Sequence, residues 1–335
     1  MGAGALALAV AACGGGGGSA PPPTTGGGGG TPAPSPSPSP TPTSVSYTKF
    51  DDLTGDREFN TACSLNPTIS GGQGFGGITL FTDFFTFAFT EASETWRVAG
   101  PTLSDTFDSS FGPSDISSQQ AGEFTLYRRE ITVNGNSVPE FFVLITPQLA
   151  NGSVDYVRGG DAVLFGINSQ TQAFYRCVFG VPTELDDALP ASTVSYDQFV
   201  SANGNARVTD GAGVVTQYNI EDTQIEVTAN PANGEITVTL DVRGREVTRD
   251  PTTGQITTSS TVTQLGTFTG NTAIDGTIQG FEGGLSDSNG QFVGEYSGWF
   301  FGPQGIELGI ALHGTQNRND ASTLTFGVSM AGPRG

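Results

Sequence analysis

The sequence predicts an all-β protein: a smaller antiparallel β domain followed by a C-terminal eight-stranded antiparallel β-barrel. Three observations predict it. Apolar and polar residues alternate with period two through most of the chain after residue 45, and helical periodicity is nearly absent. Asn-Gly and Gly-Gly steps interrupt the alternation at short intervals, supplying the positive φ angles that tight hairpins need. Phenylalanine is unevenly divided, with 16 of the 23 before residue 190, which suggests two cores of different packing.

The chain opens with a short apolar run, 5–12, that ends in Val10-Ala11-Ala12-Cys13 and a run of glycines. Small residues before a cysteine at the end of an apolar segment read as a bacterial lipoprotein cleavage box. Residues 1–12 are then a signal segment, and Cys13 becomes an acylated N-terminal lipid anchor. Each buried methylene of an acyl chain contributes about 0.8 kcal/mol, and stable attachment takes more than one chain. The leader lacks the positive charges usual at the start of such signals. Its apolar run is also far shorter than the roughly 20 residues that span a bilayer. Residues 13–44, rich in Gly, Pro and Ser, read as a disordered tether that holds a folded domain away from a surface.

Two folded domains are expected beyond the tether, at 45–182 and 191–335, joined by a linker at 183–190. In the first, strands are expected at 79–90, 124–133, 141–146, 154–158, 162–167 and 173–179. Phe85, Phe87 and Phe89 then share one face, opposite Thr86, Ala88 and Thr90. Arg128 and Arg129, adjacent on a strand, point to opposite faces. Segments 98–120 and 243–254 read as long recognition loops. Phe107 and Phe111 are either contact anchors in the first loop or residues tucked back onto the sheet. In the linker, bracketed by Pro182 and Pro190, Thr183 is expected to cap a short helical turn.

In the second domain, strands are expected at 193–199, 214–219, 223–228, 235–242, 255–268, 272–282, 292–301, 306–313 and 323–330. Turns are expected at Asn203-Gly204, Asn233-Gly234, Gly283-Gly284 and Asn289-Gly290. Sequential antiparallel strands of this number and spacing fit an up-and-down barrel, in which strand glycines mark kinks and close backbone approach.

Segment 294–314 resembles the C-terminal signature of the transferrin-binding-protein-like surface lipoproteins, Gly-x-Phe-Tyr-Gly-Pro-x-Ala-x-Glu-x-Gly-Gly. Gly298, Phe300, Phe301, Gly302, Pro303, Glu307 and Gly309 fall in register with it. Phe301 stands where Tyr is usual, Gly305 replaces Ala, and Ile310 replaces the second Gly. The resemblance covers most of 175–335 and implies a barrel domain preceded by a smaller handle-like domain. It also implies a binding module at the bacterial outer membrane. The partner would be a protein or a small iron- or haem-bearing ligand, delivered to an outer-membrane transporter. Physically, Gly302-Pro303 makes a sharp turn, and Trp299 and Phe301 share a face opposite Phe300. The Glu307 carboxylate either accepts the turn's free N–H groups or pairs with an arginine, with ligand contact as the alternative.

The formal net charge of −20 argues against a nucleic-acid partner, because phosphate binding needs clustered Lys and Arg. With Cys13 assigned to the lipid, Cys63 and Cys177 are left as a disulfide or as two buried thiols. Paired, they close a loop of roughly 115 residues, worth about 4–5 kcal/mol in the chain-entropy model.

No catalytic residue, metal site or cofactor is expected. His313, the single histidine, cannot build a multi-histidine site and is expected exposed or turn-adjacent at a strand end. The adjacent carboxylates Asp51-Asp52, Asp186-Asp187 and Glu221-Asp222 read as solvated turns, since hydrolases place such pairs across a cleft. Asp287-Ser288-Asn289-Gly290 lacks the ligand spacing of a calcium loop and reads as a turn. The alternatives to capture are a passive, adhesin-like envelope protein, a carboxylate-dependent hydrolase, and a small-molecule barrel with a large interior cavity.

Overall fold

Alternation in the first part of the chain produces two antiparallel sheets that bury their aromatic faces against each other. The computed structural model describes residues 45–66, 77–81, 85–101, 106–149, 152–165, 172–250 and 252–335. The leader, Cys13 and the tether lie outside them. The strands up to residue 180 are β1 (Arg57–Asn60), β2 (Ala62–Asn66), β3 (Gly77–Thr79), β4 (Thr86–Thr90), β5 (Thr95–Pro101), β6 (Thr106–Phe111), β7 (Ile116–Gln120), β8 (Phe124–Val133), β9 (Asn136–Ile145), β10 (Gln148–Leu149), β11 (Gly152–Ser153), β12 (Val157–Phe165) and β13 (Gln172–Gly180). One sheet has the order β1-β4-β5-β6 and the other β3-β2-β13-β12-β9-β8-β7, while β10 and β11 form a small ribbon.

Phe59, Phe87, Trp96, Phe107 and Phe111 from the smaller sheet meet Tyr127, Phe142, Tyr175 and Phe179 from the larger one. The Phe87 ring stands edge-on to Phe142 at 5.1 Å and to Phe179 at 4.9 Å. Such pairs add about 0.5–1.5 kcal/mol each beyond their buried area. Cys63 and Cys177 are cross-strand partners on β2 and β13 and form a disulfide.

Two expectations are corrected here. Segment 79–90 is not one strand: β3 and β4 lie in different sheets, and the chain crosses between them. Segment 98–120 is not a loop but carries the end of β5, β6 and β7. Phe107 and Phe111 are buried, because β6 alternates Thr106, Asp108 and Ser110 outward with Phe107, Ser109 and Phe111 inward.

The remaining strands are β14 (Val194–Tyr196), β15 (Val200–Thr209), β16 (Val215–Ile220), β17 (Gln224–Asn230), β18 (Glu235–Arg249), β19 (Ile256–Ala273), β20 (Gly280–Ser286), β21 (Phe292–Phe301), β22 (Glu307–Asn317) and β23 (Thr323–Pro333). β16 and β17 occupy successive stretches of the same edge of β18. β14 and β15 likewise follow one another along β17 and β16. Each pair is one broken stave, so the ring has eight staves in up-and-down order, closed by β15 against β23 and by β18 against β19.

The ring's interior is packed with side chains that include Tyr196, Phe268, Phe281, Tyr296, Phe300 and Phe326, so it is a core rather than a ligand chamber. On β17–β19, Ile225, Val227, Ile236, Val238 and Leu240 point inward while Glu226, Thr239, Thr267 and Thr269 face out. That is the reverse of a membrane-spanning barrel, whose lipid face is apolar. Among the described residues no helix is long and apolar enough to cross a membrane.

Several expected turns prove to be strand. Asn203-Gly204 lies inside β15, where a Cβ at 204 would sit 2.8 Å from Ile220 Cδ1. The glycine serves the approach of staves at the closure, not a reversal. Gly283-Gly284 lies within β20, and residues 243–249 extend β18. Conversely, the expected strand at 272–282 is interrupted, since β19 ends at Ala273 and β20 begins at Gly280. No helical turn starts at Thr183, whose hydroxyl instead donates to the Gly302 carbonyl at 2.7 Å.

Candidate functional site

The motif residues meet at the junction between the larger N-terminal sheet and the barrel. Period two along β21 sends Phe300 into the barrel core and turns Trp299 and Phe301 outward. There they join Ala311 and Ala331 of the barrel with Ala62, Phe81, Val157 and Val178 in one buried cluster. Trp299 stacks on Phe81 with ring centroids 3.7 Å apart. Gly298 leaves room for Phe281, whose Cζ would lie 2.3 Å from an added Cβ. Gly309 does the same for Val178 and Val157.

Gly302, at φ 69° and ψ −173°, sits in a backbone region that is essentially glycine-only, with the Tyr156 ring against its Cα. Pro303 starts the short turn that follows. Gly305, where the motif has Ala, has φ +61°, so glycine suits this turn better than alanine does.

Glu307, 5% exposed, closes the junction. Oε1 accepts the N–H of Asp155 at 2.6 Å, and Oε2 accepts those of Tyr156 and Val157 at 2.9 Å each. The sequence foresaw a carboxylate satisfying backbone donors, but assigned them to its own turn. They belong to the segment leading into β12, 150 residues upstream. Burial pushes this carboxyl up in pKa, and the three N–H groups pull it back. The linker is stitched to the same turn: Thr183 N–H donates to the Phe300 carbonyl and Gly302 N–H to the Val181 carbonyl.

Beside this apolar cluster lies a polar layer. Arg176 on β13 pairs with Asp161 on β12 at 3.3 Å and donates to Asn205 Oδ1 of the barrel at 2.5 Å. Burial pushes the Asp161 carboxyl up and the Arg176 guanidinium down in pKa, each partly held by the other's charge. His313 stands mid-strand in β22 between Glu295 and Gly327, not exposed at a strand end as expected. Its Nε2 is buried without a hydrogen-bond partner, and burial lowers its pKa to about 4. Neighbouring Gly314 is strand as well, which is why its turn signal misleads. Arg128 pairs with exposed Glu130, and Arg129 with buried Glu140, as their opposite faces imply.

At the barrel end away from this junction, four turns rest on an aspartate that accepts the turn's own N–H groups. Asp210 Oδ1 takes Ala212 and Val214, Asp250 Oδ1 takes Thr252 and Thr253, Asp287 Oδ1 takes Asn289 and Gln291, and Asp320 Oδ1 takes Ser322. These bonds hold Asp250 and Asp287 below the usual carboxylate range, and the Ser322 hydroxyl with its N–H does the same for Asp320. Beside the turns, Val214, Ile256 and Phe292 are 62%, 65% and 67% exposed. Sequence reasoning missed this rim, although each residue is a large apolar side chain at the very edge of a turn.

An acidic groove of about 550 Å³ opens where the two staves break, lined by Asp197, Asp222, Glu226 and Asp241. Arg243 and Gln264 already occupy Asp241, and Arg245 reaches Asp222. Among the described residues, no three His, Cys, Asp or Glu side chains gather as metal ligands.

No family model matches this chain, and no curated protein matches it. Among solved structures it is similar to a double mutant of transferrin binding protein B from Haemophilus parasuis Hp5, at 15% identity and TM-score 0.42. That alignment covers 83% of this chain and 45% of the other, so the chain spans less than half of that protein's length. It is also similar to isotype 1 transferrin binding protein B from serogroup B Neisseria meningitidis, at 13% identity and TM-score 0.32, covering 83% of this chain and 66% of that one. HpuA from Kingella denitrificans, solved in complex with human haemoglobin, aligns at 13% identity and TM-score 0.29, covering 83% and 89%.

Proposed function

We propose that this chain is a lipid-anchored surface protein of the bacterial outer membrane that binds rather than catalyses. Its barrel rim captures a protein, or an iron- or haem-bearing ligand, for an outer-membrane transporter. On this reading residues 1–12 are cleaved, Cys13 carries the lipid, 13–44 is the tether, and 183–190 links domains at 45–182 and 191–335. The partner class is the one the motif resemblance implies.

The observation that carries the reading is the placement of the rim. The described chain enters at the junction end, where Tyr47 Oη accepts the Glu184 N–H at 2.8 Å and packs edge-on against Tyr156. The exposed Val214, Ile256 and Phe292 stand at the other end, on turns that their own aspartates hold in shape. Exposed large apolar groups on a pre-organised surface are what protein capture uses, because little ordering entropy is lost on contact.

Fractionation and co-purification of three forms of the full chain from iron-starved cells test this: wild type, Cys13→Ser, and Val214→Ser with Phe292→Ser. Wild type is expected in the outer-membrane fraction with a co-purifying transporter. Cys13→Ser should leave the membrane, while the rim variant stays there and loses its partner. Membrane retention of Cys13→Ser overturns the anchor, and partner retention by the rim variant overturns the capture surface.

A further inference from the structure

Thirteen Lys and Arg stand against 33 Asp and Glu in this chain, and most of its cations are claimed by carboxylates. Arg207 and Arg249 are not: neither forms an ion pair among the described residues. Both line one pocket of about 290 Å³ on the barrel wall, together with Asn205, Gln217, Tyr218, Asn219, Val247 and Ile256, and no carboxylate lines it. In an acidic protein, a pocket with two unpaired guanidinium groups and no acid is unlike the rest of the surface.

The ladder explains why Arg207 stays unpaired. On β15 it faces Gln217 of β16 on one side and Thr325 of β23 on the other, both neutral. Its Nε–H is buried with no hydrogen-bond partner. A buried donor on a charged group that finds no acceptor is costly, and an anion in the pocket would supply one. The amides beside it are ordered by bonds running from the N-terminal domain. Arg176 donates to Asn205 Oδ1 at 2.5 Å, and Asn205 Nδ2 donates to Asn219 Oδ1 at 3.3 Å. That leaves the Asn219 NH₂ as a further donor. Val247 and Ile256, the latter 65% exposed, supply apolar surface on the same outer face, while Tyr218 alternates inward against the barrel core. The volume is near the lower end of small-ligand clefts, about 300–1,000 Å³.

We propose that this pocket binds a small organic carboxylate with an apolar body, the carboxylate between Arg207 and Arg249 and the body against Val247 and Ile256. A planar guanidinium suits a carboxylate because two parallel N–H groups match its two oxygens. The site needs no protein partner; it shares Ile256 with the rim, whereas Arg207 and Arg249 take no part in the rim's apolar surface.

Calorimetric titration of the full chain with octanoate, octanamide and inorganic phosphate tests the proposal, with amide chemical shifts locating the site. Octanoate is expected to saturate one site and shift the Gln217 and Ile256 amides, with octanamide and phosphate each at least about tenfold weaker. Arg249→Gln, at an exposed position, should weaken octanoate about tenfold while leaving octanamide binding within about twofold; Arg207→Gln should do the same. Equal binding of octanoate and octanamide overturns the guanidinium role, and phosphate binding as tight as octanoate overturns the apolar one. Octanoate affinity unchanged in both variants, or no saturation by about 10 mM octanoate, overturns the site.

Discussion

Glu307 Oε2 accepts the backbone N–H of Val157 at 2.9 Å across 150 residues of sequence, so one carboxylate fastens the barrel to the segment that leads into β12. Its two other donors, Asp155 and Tyr156, are adjacent backbone groups on that segment. Replacement by Ala strands three N–H groups at a buried junction, each costing about 1–3 kcal/mol if left dry. Glu307→Ala is therefore expected to lower unfolding free energy by about 3 kcal/mol or more in urea titration. It should also expose the 181–190 segment to protease. A loss below about 0.5 kcal/mol, the range of ordinary surface changes, would remove the latch from this account.

Gly302 sits where an L-residue is strained and where Tyr156 already fills the space, Cδ2 lying 2.4 Å from an added Cβ. Strain of about 1–3 kcal/mol and overpacking of about 1–3 kcal/mol act together at this site. Gly302→Ala is expected to cost about 2–6 kcal/mol in urea. Combining it with Tyr156→Ala should recover the overpacking part and leave the strain. If Tyr156→Ala restores nothing, the ring is not the obstacle.

The barrel was legible because its staves keep period-two alternation and two of its hairpins turn on Asn-Gly, at 233–234 and 289–290. What misled is glycine used for proximity. Asn203-Gly204 and Gly283-Gly284 carry the signature of turns, yet both lie within strands, where glycine lets Ile220 or Tyr296 come close. Residues 243–249 looked like a solvated loop because Arg243, Arg245, Glu246 and Arg249 are charged. They are nonetheless ladder-bonded to β19, with Arg243 paired to Asp241 and Arg245 to Glu221. In the sequence the motif residues read as a barrel signature, a turn and a structural acid. That Glu307 reaches 150 residues back could not be read from spacing, because nothing local encodes which segment packs opposite.

The Cys63–Cys177 bond ties cross-strand neighbours 114 residues apart, with both cysteines fully buried. A loop of that length restricts the unfolded chain by about 4–5 kcal/mol in the chain-entropy model. The double variant Cys63→Ala, Cys177→Ala is expected to be less stable by a similar amount, reduced by whatever structure the unfolded chain retains. Burial adds a kinetic expectation: dithiothreitol should reduce the bond in urea-unfolded protein far faster than in native protein, as thiol trapping and mass spectrometry would report. Equal rates in both states would mean that the bond is reachable from solvent.

His313 gives the fold a defined sensitivity to acid. Burial lowers its folded pKa to about 4, whereas an unfolded chain holds it near the ordinary 6.5 of histidine. Below pH 6.5 the unfolded state therefore binds the proton first. The stability that comes from keeping the ring neutral is fully present above pH 6.5 and is lost as pH falls toward 4. At about 1.4 kcal/mol per pH unit the loss reaches up to about 3 kcal/mol. Desolvation is the cause of the shift; the ring's cross-strand neighbours are Glu295 on one side and Gly327 on the other. Urea unfolding between pH 7 and 4 should show a steeper decline in wild type than in His313→Asn, which has no ring to protonate. Parallel declines in the two proteins would assign the acid sensitivity to carboxylates elsewhere, with Asp250, Asp287 and Asp320 at the rim turns the first to examine.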